Sequence, residues 1–320
     1  MKVIFSNQGN LRNVRKFFEK IDLSEPGRLE VRAAGGWVAA HPAQLAITAS
    51  LALQAGKWES EIDEKMPESG KILAEMGLYE FVRNKATFGA EVRDEGAMVP
   101  LMMVRDEGER AELMRRIGRL MIGVEQRRMV QYVVGCLVDN ALGWSGVAPV
   151  VAVKYYPKTR KVGIAVCDAG KGVWGSLDEV WRPRNDLEAI RMALRPGVTG
   201  ASEGLGGANV AAGMGLFAVR GMAKLMRNYF LVYSGAGMYE LMRGDRRLKR
   251  KLRADPILDR HFATNDLPPF LGTLVAMDVS VDEVGSFQGM MNEVTRMYVG
   301  ALVEADEQQT YIPKIMGRNV

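Results

Sequence analysis

Residues 150–156 (VVAVKYY) and 162–167 (VGIAVC) are runs of β-branched and apolar side chains with only Pro157-Lys-Thr-Arg-Lys between them. Runs of that composition, broken by so short a polar segment, pair as a hairpin. A long helical pattern precedes them over residues 105–142. Its first part is strongly charged (RDEGERAELMRRIGR) and its second, residues 129–142, is mostly apolar. After the hairpin come a short helix at 187–194, a stretch dense in Gly, Ala and Ser at 196–215, a helix at 216–226, strands at 228–234 and 274–281, and a closing helix at 286–303. This is not the regular strand–helix alternation of a doubly wound sheet. It predicts an α+β fold: a two-layer α/β sandwich with helices on one face of a mixed, mostly antiparallel sheet. A glycine-dense loop of about twenty residues inside a compact domain is a functional lid or a disordered segment.

The first ninety residues alternate strand-like and helix-like patterns. Val3-Ile4-Phe5 starts a strand, residues 11–21 look helical, and Leu29-Glu-Val-Arg-Ala and Gly36-Trp-Val-Ala look like short strands. Pro42–Gln54 is an apolar helix with proline in its first turn, where the missing N–H costs little. Residues 69–76 form another helix that stops at Gly77. The expected division is a smaller α/β domain over 1–92, a main domain over 105–285, and a C-terminal helix and tail over 286–320. A length of 320 residues suits one large domain or two ordinary ones.

Composition narrows the class. Apolar residues make up 48% and charged residues 25%, as in globular proteins. Cys136 and Cys167 are too few for a disulfide framework and sit in apolar runs, so they read as buried free thiols in a reducing compartment. No stretch reaches the roughly 18 apolar residues of a membrane helix. The opening MKVIFSN lacks the apolar segment of a signal peptide. The expectation is a cytoplasmic protein without membrane attachment. Its net charge of +5 is modest. The densest basic run (RGDRRLKRKLR) begins at Arg243 and ends at Arg253. It offers a nucleic-acid contact, but no aromatic residue is interleaved to stack on bases, which favours a solvated loop or helix face.

Four clusters carry the chemistry. Leu137-Val-Asp139-Asn140-Ala141 ends the apolar helix, and an apolar strand runs into Asp168-Ala-Gly170-Lys171-Gly172. Gly213-Met214-Gly215-Leu216 joins the glycine-dense stretch to the next helix, and Gly272-Thr273 leads into the last strand. A carboxylate at the end of an apolar strand is costly to bury unpaired, and an exocyclic amine such as adenine N6 can donate to it. Glycines after it let the backbone lie against a flat base. Glycines at the start of a helix leave N–H groups free for phosphate. An asparagine oxygen facing the same pocket suits Mg²⁺, which binds largely through substrate phosphates. Taken singly, each cluster is an ordinary turn or helix end. Their order on matching elements is what singles them out.

In that order they resemble the asparagine box, the two glycine boxes and the terminal Gly-Thr of the GHKL ATPases, the Bergerat-fold superfamily of gyrase B subunits, sensor histidine kinases, MutL-type repair proteins and anti-sigma-factor kinases. The resemblance spans residues 110–285. It includes Leu187-Glu-Ala-Ile-Arg-Met-Ala-Leu-Arg-Pro-Gly-Val-Thr199, which is similar to the segment before the ATP lid, and Tyr229-Phe-Leu-Val-Tyr-Ser-Gly, similar to the strand after the second glycine box. It implies an ATP or ADP site with Mg²⁺. Asn140 would hold Mg²⁺ and phosphate, Asp168 the adenine amine, and Gly170, Lys171 and Gly172 the base side. Thr199, Gly213, Met214, Gly215 and Leu216 would lie at the phosphates and lid, and Thr273 would support Asp168 through a water.

One position departs from the pattern. Hydrolytic members carry a glutamate four residues before the asparagine as general base, and here that residue is Cys136. A neutral thiol is a poor base, and losing a general base costs about 10²–10⁴ in rate. The catalytic residue is therefore unknown. The resemblance implies ATP binding with slow or absent hydrolysis, in a nucleotide-dependent switch acting on a protein partner. The alternatives are an active ATPase or a protein kinase phosphorylating a partner, and a nucleic-acid-associated ATP-binding protein. Relatives dimerise, but no dimer seam is legible in this chain. His41, before Pro42, is read as structural or surface rather than as a phosphoacceptor. Trp37-Val-Ala-Ala-His41-Pro with its apolar helix, followed by Met76-Gly77-Leu78-Tyr79-Glu-Phe81, resembles the STAS-like interaction domains that precede some GHKL proteins.

Overall fold

The computed structural model describes residues 1–55, 60–62, 67–84, 96–200, 213–244, 253–283 and 285–307. Strands β1 (Lys2–Phe5) and β2 (Leu29–Ala33) pair in parallel, with Val3 opposite Val31, and β3 (Ser60–Ile62) extends this three-stranded sheet beyond β2. Between β1 and β2 the expected helix is broken into a 3-10 turn and the short α1 (Arg15–Phe18). The run Gly36-Trp-Val-Ala forms no strand and makes a single bridge, Asn7 to Ala39. Helix α2 (Pro42–Gln54) occupies the residues its sequence marks out. His41 fixes its start: Nδ1 accepts the Ala43 N–H at 3.1 Å, while Gln44 Oε1 accepts the His41 N–H at 2.8 Å. The short helices α3 (Lys71–Glu75) and α4 (Leu78–Asn84) follow.

The larger sheet draws on β4 (Met98–Met103), β5 (Val150–Tyr156), β6 (Lys161–Asp168), β7 (Phe230–Gly235), β8 (Gly237–Leu241), β9 (His261–Thr264) and β10 (Phe270–Ser280). Their spatial order is β4-β5-β6-β10-β7-β8-β9, and every neighbouring pair is antiparallel. Parallel pairing is thus confined to the small sheet, where a mixed main sheet was expected. The chain between these strands forms α5 (Glu107–Gly118), α6 (Val124–Trp144), α7 (Gly172–Trp181), α8 (Asp186–Ala193) and α9 (Gly215–Leu225), and α10 (Phe287–Glu307) closes the described chain.

Helices α6, α7, α8 and α9 of the main domain lie on one face of the large sheet, as expected, and α2 from the first ninety residues covers the other. Val151, Val153, Ile164 and Val166 point into a core shared with α6, α7, α8 and α9, whereas their neighbours Val150, Ala152, Ala165 and Cys167 point into a second core shared with α2. Helix α2 lies across β5, β6 and β10, and Leu45, Ile47 and Leu51 on it are fully buried. With α2 included, the two expected domains together make three layers. The physical reason lies in the patterning of the strands and of α2. Strands apolar at consecutive positions require cover on both faces, and a helix apolar all round requires burial on every side. Among the described residues no helix is long and apolar enough to cross a membrane.

Candidate functional site

The site forms where β6 ends. Asp168 is its last residue and lies opposite Thr273 in the β6–β10 ladder. One turn of backbone then leads into α7. Above this strand end, the C-terminal half of α6, the first turns of α7, residues 198–200 and the start of α9 enclose a cavity of about 370 Å³. Asn140, Asp168, Thr199, Gly213, Gly215, Leu216 and Thr273 all line it. Residues far apart in sequence thereby meet on one wall system, with Val166, Val173, Leu177 and Val275 supplying apolar surface and Trp144 an aromatic side.

Other residues singled out in the sequence sit beside the cavity rather than in its lining. Gly170 donates its N–H to Asp168 Oδ1 at 3.0 Å. Its Cα lies so close to α6 that a Cβ there would stand 2.2 Å from the Ser145 carbonyl oxygen. Gly172 opens α7 beneath Ser234. Lys171 is exposed, and Met214 packs against the main core. Residues 201–212 of the glycine-dense stretch and residues 245–252 of the basic run lie outside the described residues.

Asp168 is 4% exposed. Burial is the main influence on its carboxyl and pushes the pKa up to about 6, against which the Gly170 and Thr273 backbone N–H groups pull it down. Among the described residues it has no ion pair. Asp139, also on the cavity wall, is instead held by a forked contact from Arg110 on α5, with Nε to Oδ1 at 2.8 Å and Nη2 to Oδ2 at 3.0 Å. The Asn140 side chain also lines the cavity and makes no hydrogen bond to a described residue. Cys136 lies one turn earlier on α6, at the four-residue spacing that puts two side chains on one helix face, and it too lines the cavity. Burial pushes its thiol pKa up, with the Tyr132 hydroxyl acting in the opposite direction.

Two supporting residues escaped the sequence reading. Ser234, on β7, accepts the Val173 N–H at 2.9 Å and donates to the Gly272 carbonyl at 2.7 Å, which ties the first turn of α7 to the bulge in β10. At that bulge Gly272 has φ +138, and a Cβ there would stand 2.1 Å from the Asp168 carbonyl oxygen. Ser145 accepts the Lys171 N–H at 3.2 Å through its carbonyl. Neither serine carries a sequence signal of its own, since each acts through neighbours that only the fold supplies. Thr199 is positioned by its carbonyl, which accepts the Trp181 Nε1–H at 2.8 Å.

No protein-family model matches this chain, and no curated protein matches it either. Any functional reading therefore rests on the cavity itself.

Proposed function

We propose that the cavity is a nucleotide site of the GHKL, Bergerat type, and that the protein is an ATP- and Mg²⁺-binding switch acting on a protein partner. The observation that carries this reading is Asp168: a buried carboxylate on an otherwise largely apolar wall, held by two backbone N–H groups and, among the described residues, by no cation. An acceptor so placed suits an exocyclic amine, and a base lacking that amine would leave it unpaired. Asn140 and the bare backbone at Gly213 and Gly215 are the groups that would meet phosphates and their ion. Among the described residues no group of three or more His, Cys, Asp or Glu side chains could hold a metal. Mg²⁺ here would depend on nucleotide oxygens with Asn140 beside them.

The raised thiol of Cys136 supports binding over hydrolysis, because a protonated thiol cannot take a proton from water. Calorimetry with ATP-γ-S and ADP, with and without Mg²⁺, tests the site. Micromolar binding is expected, reduced about 100-fold or more in Asp168→Ala. Inosine triphosphate, which carries oxygen in place of the amine, should bind at least about tenfold more weakly than ATP. Equal affinities in wild type and Asp168→Ala would overturn the reading.

A further inference from the structure

A second crevice, of about 530 Å³, opens where β1 and β2 end. It lies within the size range of small-molecule sites, roughly 300–1,000 Å³. Its walls are Ser6, Asn7 and Gln8, which follow β1, and the segment from Ala34 to Trp37, which follows β2. The carboxyl ends of neighbouring parallel strands are where open α/β sheets take ligands, because the loops diverge there. The mouth is fixed by backbone bonds. The Ala34 N–H donates to the Phe5 carbonyl at 2.8 Å, and the Ala39 N–H to the Ser6 carbonyl at 3.1 Å.

The lining has a distinct chemistry. Among the described residues, Lys16 from α1 is its charged side chain and no carboxylate lines it. Neutral amides from Asn7, Gln8 and Asn13 line the crevice with it. Gly35 needs its φ of +84, but Gly36 has no such constraint, and nothing lies within 4 Å of where its Cβ would stand. Neither strain nor packing demands glycine at 36. What the residue does is leave bare peptide facing open space, as where a backbone meets a ligand. On the rim, Trp37 is 62% exposed and presents its ring to water.

We infer that this crevice binds a small phosphorylated ligand with a planar ring, by chemical class a mononucleotide. Its phosphate lies at Lys16 and the amides, and its ring covers Trp37. Lysine is a common point-charge partner of phosphate, and amide N–H groups donate to the remaining oxygens. Stacking on an exposed indole tolerates any base, so the ring is selected by flatness rather than by its edge. This inference does not depend on the nucleotide cavity beside α6.

The test uses the full chain carrying Asp168→Ala, so that the first cavity is disabled, and labelled AMP in equilibrium dialysis with tryptophan fluorescence alongside. Saturable AMP binding is expected, weakened about tenfold or more by each of Lys16→Ala, Trp37→Ala and Gly36→Leu, where a tenfold loss corresponds to about 1.4 kcal/mol. All three positions tolerate change without strain, and unchanged melting temperatures would verify folding. Adenosine and inorganic phosphate should each bind at least about tenfold more weakly than AMP, while UMP should bind comparably. Absence of saturable binding at millimolar AMP, or binding indifferent to all three substitutions, would overturn the assignment. So would AMP binding seen only when Asp168 is intact. Failure of ATP-γ-S to bind the wild-type cavity leaves these outcomes unaltered, so the two readings fail separately.

Discussion

Two buried aspartates sit near opposite ends of the same antiparallel ladder. Asp168 on β6 faces Thr273, and Asp278 on β10 faces Gly163. Their depth is nearly equal, 4% and 5% exposed. Their surroundings are not. Asp278 accepts from His41 Nε2 at 3.1 Å and has Lys161 Nζ at 3.8 Å. Because His41 Nδ1 already accepts the Ala43 N–H, the ring proton lies on Nε2 and points at the carboxylate. Gly163 makes this approach possible, since a Cβ there would stand 2.7 Å from that nitrogen. Asp168 has backbone donors, a cavity in front of it and, among the described residues, no cation. A carboxylate that serves the fold has its partners supplied by the chain, as His41 is supplied by the segment before α2. One that is left incomplete at the edge of a cavity is suited to a partner from outside.

The largest expected effect is on the completed aspartate. Asp278→Ala leaves the His41 Nε2–H and the Lys161 ammonium without their acceptor, and should lower stability by about 3 kcal/mol in denaturant unfolding. His41→Ala should cost somewhat less, and the double variant should cost less than the sum. Additive losses would mean that the pair does not couple the N-terminal segment to the sheet, and the comparison would break.

Asp168→Asn should act in the opposite direction. The carboxyl pKa is about 6 in the folded chain and 3.8 without its surroundings. Below pH 3.8 it is protonated in both states and carries no ionisation penalty. As pH rises through 6 the folded protein must ionise a buried group, and stability falls by up to about 3 kcal/mol, remaining at that level above. Asparagine has no such penalty. The variant should therefore be more stable than wild type at pH 7.5, by about 2 kcal/mol, with the gain gone near pH 4. Wild-type affinity for adenine nucleotides should fall as pH drops below 6. A variant less stable at pH 7.5 would show that the carboxylate serves the fold after all.

The contrast between these residues also marks what could be read in advance. Asp168, Asn140 and Thr273 were legible because Asp168 ends a strand, Asn140 lies in the last turns of an apolar helix and Thr273 follows a glycine entering a strand, and the β6–β10 register brings two of them face to face. Helix α2 was legible to the residue through Pro42 and its apolar run. Its position was not, because covering the second face of the sheet depends on β10 arriving between β6 and β7 from more than a hundred residues later. Helix α7 went unseen for a local reason. Its first residue is Gly172, and glycine at a helix start looks like loop. Strands β8 and β9 were missed because their pairing is set by partners, not by their own short sequences. His41 was read as structural or surface; it is buried and structural, and Asp278 could not be named as its partner.

Gly170→Ala probes how firmly Asp168 is held. The added Cβ would press on backbone, the Ser145 carbonyl, rather than on a flexible side chain. The Gly170 N–H that reaches Asp168 Oδ1 must then move. A loss of about 2 kcal/mol in stability is expected, with weakened nucleotide binding, and a variant as stable and as competent as wild type would show that this backbone clamp is unimportant.

Gly215→Ala should have the smallest effect and serves as the counterpart to Gly170→Ala. Both glycines belong to the chemistry-bearing clusters, yet nothing lies within 4 Å of a Cβ at 215. The residue begins α9 with its neighbour Leu216 buried, and alanine is at least as good a helix former as glycine. Stability should change by no more than about 0.5 kcal/mol. The methyl group, however, would project into the cavity where phosphates are proposed to meet the helix start. Nucleotide affinity should therefore fall by about threefold while the melting curve stays in place. Affinity and stability falling together would mean that Gly215 serves the packing of α9. Affinity falling alone would assign the glycine to the ligand rather than to the fold.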